Sequence, residues 1–338
     1  MSNFRGWAAH SAGGALERLD FDPGSLDPED VEIAVEHCGI CHSDLALIDS
    51  EWGPSSYPLV PGHEVVGRVT ALGAQTKGLV LGQRVGVGWH TRSCLHCRPC
   101  LGGEQHLCAK RQPTIVGRHG GFADRLRSHW AWAIPLPDAL EPASVGPLMC
   151  GGITVFSPLL IHEVKPLDRV GVVGIGGLGH LALKFARAWG CEVTAFTSTA
   201  AKREEALALG AHRCVSSTDV AEMKTIAGSL DFLIVTVGAT LNWDALMNTL
   251  APKGRLHVVG VVTEGLKLRT ASLLYWQRSL SGSLTGSPGE LAAMLDFAAR
   301  HGIAPQVERF PMNRVNDAIA RLRSGKARYR VVLDADFG

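Results

Sequence analysis

The chain has no run of about 18 apolar residues, the minimum for a helix that crosses a bilayer. Its opening, MSNFRGWAAH, has no apolar stretch of the kind an export signal requires. We therefore expect a cytoplasmic protein with no membrane partner. An excess of charge of one sign is missing too: 33 basic residues face 32 acidic ones, the formal net charge is +1, and no long basic block occurs. That balance removes the electrostatic case for nucleic acid or an anionic lipid surface. Low-complexity tracts and short internal repeats are also absent. Cysteine, by contrast, is plentiful. Nine of them, an odd number in a chain without an export signal, argue against a disulfide framework. The 338 residues, 46% of them apolar, suffice for about two domains with proper cores, and a small molecule is the expected partner.

Four of the cysteines, Cys94, Cys97, Cys100 and Cys108, fall within the single run CLHCRPCLGGEQHLC. Such short gaps let the backbone turn back on itself so that four thiolates converge on a tetrahedral Zn²⁺. A metal with four protein ligands has no position for substrate. The expected role is structural, holding together a lobe at about residues 90–112.

The two halves of the chain have different grain. From about Arg169 onward, apolar runs alternate with helical stretches: DRVGVVGI, CEVTAFTS, RCVSS, DFLIVTVG, GRLHVVGV and SLSGSLTG are the candidate strands. Six such runs predict an α/β unit with a doubly wound parallel sheet, because βαβ crossovers cover both faces of buried strands. Before about Gly146, short strand-like stretches such as VEIAVEH, GHEVVGRVTAL and QRVGVGW are broken by glycine and proline, which predicts a mainly β domain. Ser287, Pro288 and Glu290 form a capping-box start for a helix through ELAAMLDFAARHG, and the tail RYRVVLD is expected to pair with the first domain.

GIGGLG, containing Gly174, Gly176, Gly177, Leu178 and Gly179, stands after the first run of the α/β series and before a helix. That is the context a dinucleotide fingerprint requires. Its first glycine allows a tight turn, the second a close approach of pyrophosphate, and the third close packing of helix on strand. After the second run, an acidic residue would bind the ribose 2′-hydroxyl of NAD. The chain instead has Thr197, Ser198, Thr199, Ala200, Ala201, Lys202 and Arg203. Hydroxyls and a Lys-Arg pair can donate to a 2′-phosphate that a carboxylate would repel, so NADP(H) is the expected cofactor.

Among the remaining cysteines, Cys41 and Cys150 stand 22 residues before and 87 residues after His63. Spacing of this kind establishes no site by itself; the local contexts GICHSD, PGHE and PLMCGGIT carry the argument. Two thiolates and a neutral imidazole would hold a zinc without net charge and with an open fourth position, a useful Lewis acid. His63-Glu64 is not followed by the second histidine of HExxH, which excludes the metallopeptidase reading. Cys38, Cys191 and Cys214 read as buried small residues.

Taken in order, GICHSD, EWG, YPLVPGHEVVG, the four-cysteine run, PLMCGGIT, GIGGLG and the TST-to-Lys202 segment resemble a zinc-dependent medium-chain alcohol dehydrogenase, on the cinnamyl alcohol dehydrogenase and aldehyde reductase branch. The resemblance spans essentially the whole chain. It implies a GroES-like catalytic domain over residues 1–150 and 287–338, a Rossmann domain over 151–286, and a homodimer, with tetramers in some relatives. It assigns Cys41, His63 and Cys150 to the catalytic zinc, Glu64 to a place beside the metal, and Asp44 to orienting His63. Ser43 would start the proton relay, while His42 and Thr154 would face the cofactor. Trp52 and Trp89 are candidates for the walls of the substrate pocket. Many relatives carry a histidine where this chain has Ala46, so the proton is expected to leave through water or Glu51. The implied reaction interconverts primary alcohols and aldehydes, aromatic ones such as cinnamyl or a broad aliphatic range. The alternatives are an NAD-linked polyol dehydrogenase and a non-catalytic NADP-binding or redox-sensing relative.

Overall fold

The computed structural model describes residues 3–262 and 264–337. The chain divides into two compact units, one formed by Met1–Ile153 with Thr285–Gly338 and the other by Thr154–Leu284.

The first unit is built on a seven-stranded sheet. Its long central strand, Asp30–Ile40, alternates buried and half-buried residues, and this period of two lets one face enter the core. The strand pairs antiparallel with Glu64–Leu72, with Arg125–His129 and with the tail strand Arg330–Asp334. In the last ladder Val332 faces Gly39 and Leu333 faces Cys38, so the end of the chain closes the sheet begun near its start, as the sequence pattern predicts. Val31, Ile33, Val65, Val85, Phe122, Val331 and Leu333 are among the fully buried side chains of its core. From this body hangs a hairpin in which His90 pairs with Pro113 and Arg92 with Gln112, and the four-cysteine run is the loop between those strands.

The second unit is a six-stranded parallel sheet in the order Arg213–Ser216, Glu192–Thr197, Arg169–Val173, Leu230–Val235, Leu250–Val258, Ser279–Gly282. Numbered along the unit, this is the doubly wound order 3-2-1-4-5-6. Each of the six apolar runs read from the sequence is one of these strands. Gly190, in the left-handed region at φ 105°, ends the helix Gly179–Trp189 and starts the turn into the second strand. Ser287 and Glu290 exchange the two bonds of a capping box at the head of Pro288–His301, in the first unit. No single helix among the described residues is long and apolar enough to cross a membrane.

Candidate active site and metal centres

The first unit brings Cys41, His63, Glu64 and Cys150 together, with one ligand atom of each within 4.8 Å of the others. Cys41 directly follows the central strand as the N-cap of the helix His42–Ile48, and His63 immediately precedes the strand Glu64–Leu72. A single carboxylate joins these two segments. Asp44, fully buried, accepts from the Cys41 N–H (2.8 Å), the Gly62 N–H (2.9 Å) and Nδ1 of His63 (3.0 Å). The sequence reading assigned Asp44 to His63, with a local turn cap as the alternative. The same side chain is also the clasp of the turn, because a buried carboxylate has to be satisfied on both oxygens. Its hold on Nδ1 leaves Nε2 of His63 facing the thiols.

Cys150 arrives from the segment Gly146–Met149, which lies against the sheet. A Cβ on Gly146 would stand 2.6 Å from the Glu64 carbonyl, so only glycine permits the approach. Cys41 Sγ and Cys150 Sγ are 3.9 Å apart, and His63 Nε2 is 3.3 Å from Cys150 Sγ. Bond lengths of zinc to sulfur and nitrogen give edges of roughly 3.5–3.8 Å in a tetrahedron, so three of its corners fit the donor atoms. The thiol-thiol contact pushes Cys41 well below an ordinary thiol pKa and Cys150 well above it. Burial opposes the charged form of His63, but the Asp44 carboxylate prevails and lifts its pKa well above the usual imidazole value.

Glu64 is fully buried; burial holds its carboxyl up at about 7, while Arg330 pulls the other way. Arg330 donates to Oε1, and Oε2 has no partner. The sequence reading missed Arg330. Its signal was a charge at the head of the strand RVVLD, directly before two valines and a leucine that are all buried.

Ser43 Oγ lies 3.9 Å from Cys41 Sγ, close to the site, whereas His42 is exposed with its ring nitrogen 3.8 Å from Glu51. Ala46 is fully buried. Trp89 packs its ring edge-on to His63, centroids 5.0 Å apart, and Trp52 stands edge-on to Trp89 at 6.4 Å. Both tryptophans line one cavity of about 650 Å³, with Leu47, Leu59 and Ile115.

In the hanging loop, Cys94, Cys97, Cys100 and Cys108 also converge within 4.8 Å. Cys94 Sγ is 3.9 Å from Cys100 Sγ. Backbone N–H groups point at the sulfurs, from Cys97 to Cys94 (3.4 Å) and from Lys110 to Cys108 (3.3 Å). Such donors favour the thiolate, and with the His96 backbone foremost they hold Cys94 down at about 6. Leu101 and Leu107 are exposed, so the loop has little apolar core of its own and depends on a metal for its shape. None of the nine cysteines is in a disulfide.

The second unit carries a groove of about 1180 Å³ that contains Gly174, Gly176, Ser198, Thr199 and Lys202. Gly174 has φ +88°, Gly176 has open space where a Cβ would stand, and a Cβ on Gly179 would lie 1.8 Å from the Gly174 carbonyl. These are the three different demands the fingerprint makes. The helix Gly179–Trp189 starts at Leu178 without a side-chain cap, leaving its positive end for an anion. Lys202 Nζ reaches back to the Ile175 carbonyl at 2.9 Å, across the mouth of the glycine turn.

Two residues expected at the cofactor have their side chains engaged elsewhere. Arg203 does not line the groove: its guanidinium is held by Glu222 at 2.6 Å, because the helix it opens faces that carboxylate. Thr154 is buried and gives its hydroxyl to the Leu284 carbonyl at 2.9 Å, satisfying the chain where it leaves the unit. Gly177, Leu178 and Gly179 shape the turn behind the groove's lining. The sequence reading also missed Asp219, a carboxylate on the groove that caps the next helix through the Ala221 and Glu222 N–H groups.

Two family models match the chain. Residues 27–138 match the family model "Alcohol dehydrogenase GroES-like domain" and residues 177–300 match "Zinc-binding dehydrogenase". The chain is 52% identical over 329 residues to an aldehyde reductase of Synechocystis sp., covering 97% of this chain and 98% of the relative. Among solved structures it is similar to a cinnamyl alcohol dehydrogenase of Sorghum bicolor (TM-score 0.94, 39% identity, 98% of this chain and 97% of the other). It is also similar to a Helicobacter pylori CAD complexed with NADP(H) (TM-score 0.90, 31% identity, 98% of each chain).

Proposed function

The chain belongs to the zinc-dependent alcohol dehydrogenases, on their cinnamyl alcohol dehydrogenase and aldehyde reductase branch, and from that premise we propose that it interconverts primary alcohols and aldehydes with NADP(H). The observation that carries this reading is the meeting of Cys41, His63 and Cys150, far apart in the chain, with a three-cornered tetrahedral spacing. When bound, zinc supplies Lewis acidity toward a substrate oxygen, and the nicotinamide supplies or takes the hydride.

The residues have separate tasks. Asp44 fixes the tautomer of His63 so that Nε2 is the ligand. Ser43, whose hydroxyl stands beside Cys41, passes the proton to or from the substrate oxygen, and water or Glu51 takes it onward in the absence of a histidine at Ala46. Glu64, with Arg330 behind it, keeps a carboxylate near the metal for ligand exchange. Trp52 and Trp89 offer flat apolar walls, which suit an aromatic aldehyde such as cinnamaldehyde or a broad aliphatic range.

For the cofactor, Ser198, Thr199 and Lys202 stand at the end of the second strand, where an NAD site has a carboxylate. Asp219 does not take that place, since it follows the third strand, Arg213–Ser216, and caps the next helix through two backbone N–H groups. A cytoplasmic location suits a chain with six cysteines and a histidine in metal sites, because a reducing compartment preserves the thiols. A homodimer suits the second unit, whose edge strand Ser279–Gly282 follows the exposed side chains Leu274, Tyr275 and Trp276.

The test is reduction of cinnamaldehyde by the zinc-loaded protein with NADPH and, separately, NADH, before and after chelation. NADPH should be preferred and activity should disappear with the metal. Lys202→Ala should raise the KM for NADPH about tenfold or more and leave that for NADH nearly unchanged. Equal use of the two cofactors by the unmodified protein would refute the assignment of NADP(H).

A further inference from the structure

The first unit contains another large cavity, about 760 Å³, for which the proposed reaction has no use. It opens over the strand Arg125–His129, and the rings of Phe4 and Phe21 form part of its wall. Phe21 is packed against His119, ring centroids 4.4 Å apart. Five arginines line the cavity, and three of them are neutralised. Arg92 is paired with Asp27 at 3.1 Å and with Asp30, while Arg125 and Arg127 share Glu32 at 3.3 and 3.0 Å.

Arg111 and Arg118 have no ion-pair partner among the described residues. Arg111 gives one bond to the Cys108 carbonyl (3.1 Å). Arg118 bonds Thr91 Oγ1 (2.6 Å) and the Arg127 carbonyl, which leaves other donors of a guanidinium with five N–H groups for the cavity. Burial lowers the Arg118 pKa, and the nearby Asp30 carboxylate offsets this only in part. On the acidic side Asp22 alone has no arginine, and it caps the Gly24 N–H at 2.9 Å. The unpaired charge of the lining is therefore cationic, and it sits beside aromatic rings.

We propose that this cavity binds a small organic oxyanion, a carboxylate on a planar apolar body, with Arg118 and Arg111 gripping the carboxylate and Phe4 and Phe21 covering the body. The guanidinium fork fits a carboxylate in two parallel bonds, and the rings reward a flat partner. The site does not stand apart from the rest of the unit. Residues 116–119 line both this cavity and the one between Trp52 and Trp89. The chain just beyond them is bonded to the segment that carries His63, Gly120 N–H to the Val60 carbonyl and Gly121 N–H to the Gly62 carbonyl, each at 2.8 Å. Occupancy at Arg118 thus bears on a wall of the substrate pocket, a consequence that rests on the function proposed above.

Sodium benzoate is the probe, titrated calorimetrically into the zinc-loaded full chain, with sodium acetate and inorganic phosphate as separate arms. Benzoate should bind more tightly than acetate or phosphate, and Arg118→Gln should weaken it about tenfold or more. Arg111→Gln, on the exposed rim, should weaken it as well and carries the test if the Arg118 variant fails to fold. No binding of benzoate, or equal binding by the wild type and Arg111→Gln, overturns the site, since an ion held at the metal centre would ignore Arg111, which lines this cavity and not the one between Trp52 and Trp89. Phosphate binding as well as benzoate overturns the apolar part of the pocket. In steady-state kinetics benzoate should raise the KM for cinnamaldehyde in the wild type and not in Arg118→Gln. A KM shift that persists in the variant overturns the coupling. Absence of any aldehyde turnover would refute the proposed function, and calorimetry would still decide the site.

Discussion

The two metal centres use nearly the same ligands and are built in opposite ways. Cys94, Cys97, Cys100 and Cys108 lie on one short loop with exposed Leu101 and Leu107, and four sulfurs close the coordination shell. Cys41, His63 and Cys150 come from three separate segments of a buried sheet domain, clasped by Asp44, and they supply only three corners. In the first case the metal organises the backbone. In the second the backbone organises the site, so a position can be left for substrate without loss of shape.

The sharpest way to break this contrast is to remove one ligand from each centre. Cys150→Ser should leave a folded protein with about one zinc per chain and lower kcat by at least about a thousandfold, the equivalent of several kcal/mol of charge stabilisation. Unchanged turnover with metal content reduced would remove the open centre from catalysis. Cys97→Ser should do the reverse. The loop should lose its metal, become sensitive to protease and lower the melting temperature, while the zinc at the open centre is retained.

A smaller change sharpens the account of the clasp. Asp44→Asn keeps the shape of the side chain but alters its partnership with His63 and the two N–H groups, and metal affinity at the open centre should fall about 10- to 100-fold. Affinity at the four-cysteine loop should not move, which metal competition with a chromogenic chelator would measure for both sites.

The smallest effect is expected from acid, in the unit that has neither centre. His257 is fully buried on the strand Leu250–Val258, and burial, with His162 and Arg255 nearby, holds its pKa down to about 4. In the unfolded chain the value is near 6.5. Above pH 6.5 neither state binds the proton and the residue costs nothing. As pH falls from 6.5 toward 4 only the unfolded chain takes it up, and stability should decline by as much as roughly 2 kcal/mol. Denaturant melts across that window should have a shallower pH slope in His257→Asn. An identical slope would show that the imidazole is not kept neutral by the fold.

What was legible in the sequence was whatever depends on neighbours along the chain. The four-cysteine loop, the GIGGLG turn, the six apolar runs and the Ser287 capping box each rest on spacings of a few residues, within which backbone geometry leaves few choices. The missing carboxylate after the second strand was readable for the same reason. Cys41, His63 and Cys150 were named through family resemblance, because spacings of 22 and 87 residues carry no geometry of their own.

Only the tertiary structure decided the rest. The register of Asp30–Ile40 against Glu64–Leu72 and Arg330–Asp334 brings Glu64 opposite Gly39 and seats Arg330 against its carboxylate. The facing of one helix turned Arg203 toward Glu222, and a backbone carbonyl claimed the hydroxyl of Thr154. These outcomes depend on which strand lies beside which and which oxygen is left unsatisfied, quantities that exist only once the sheet is closed.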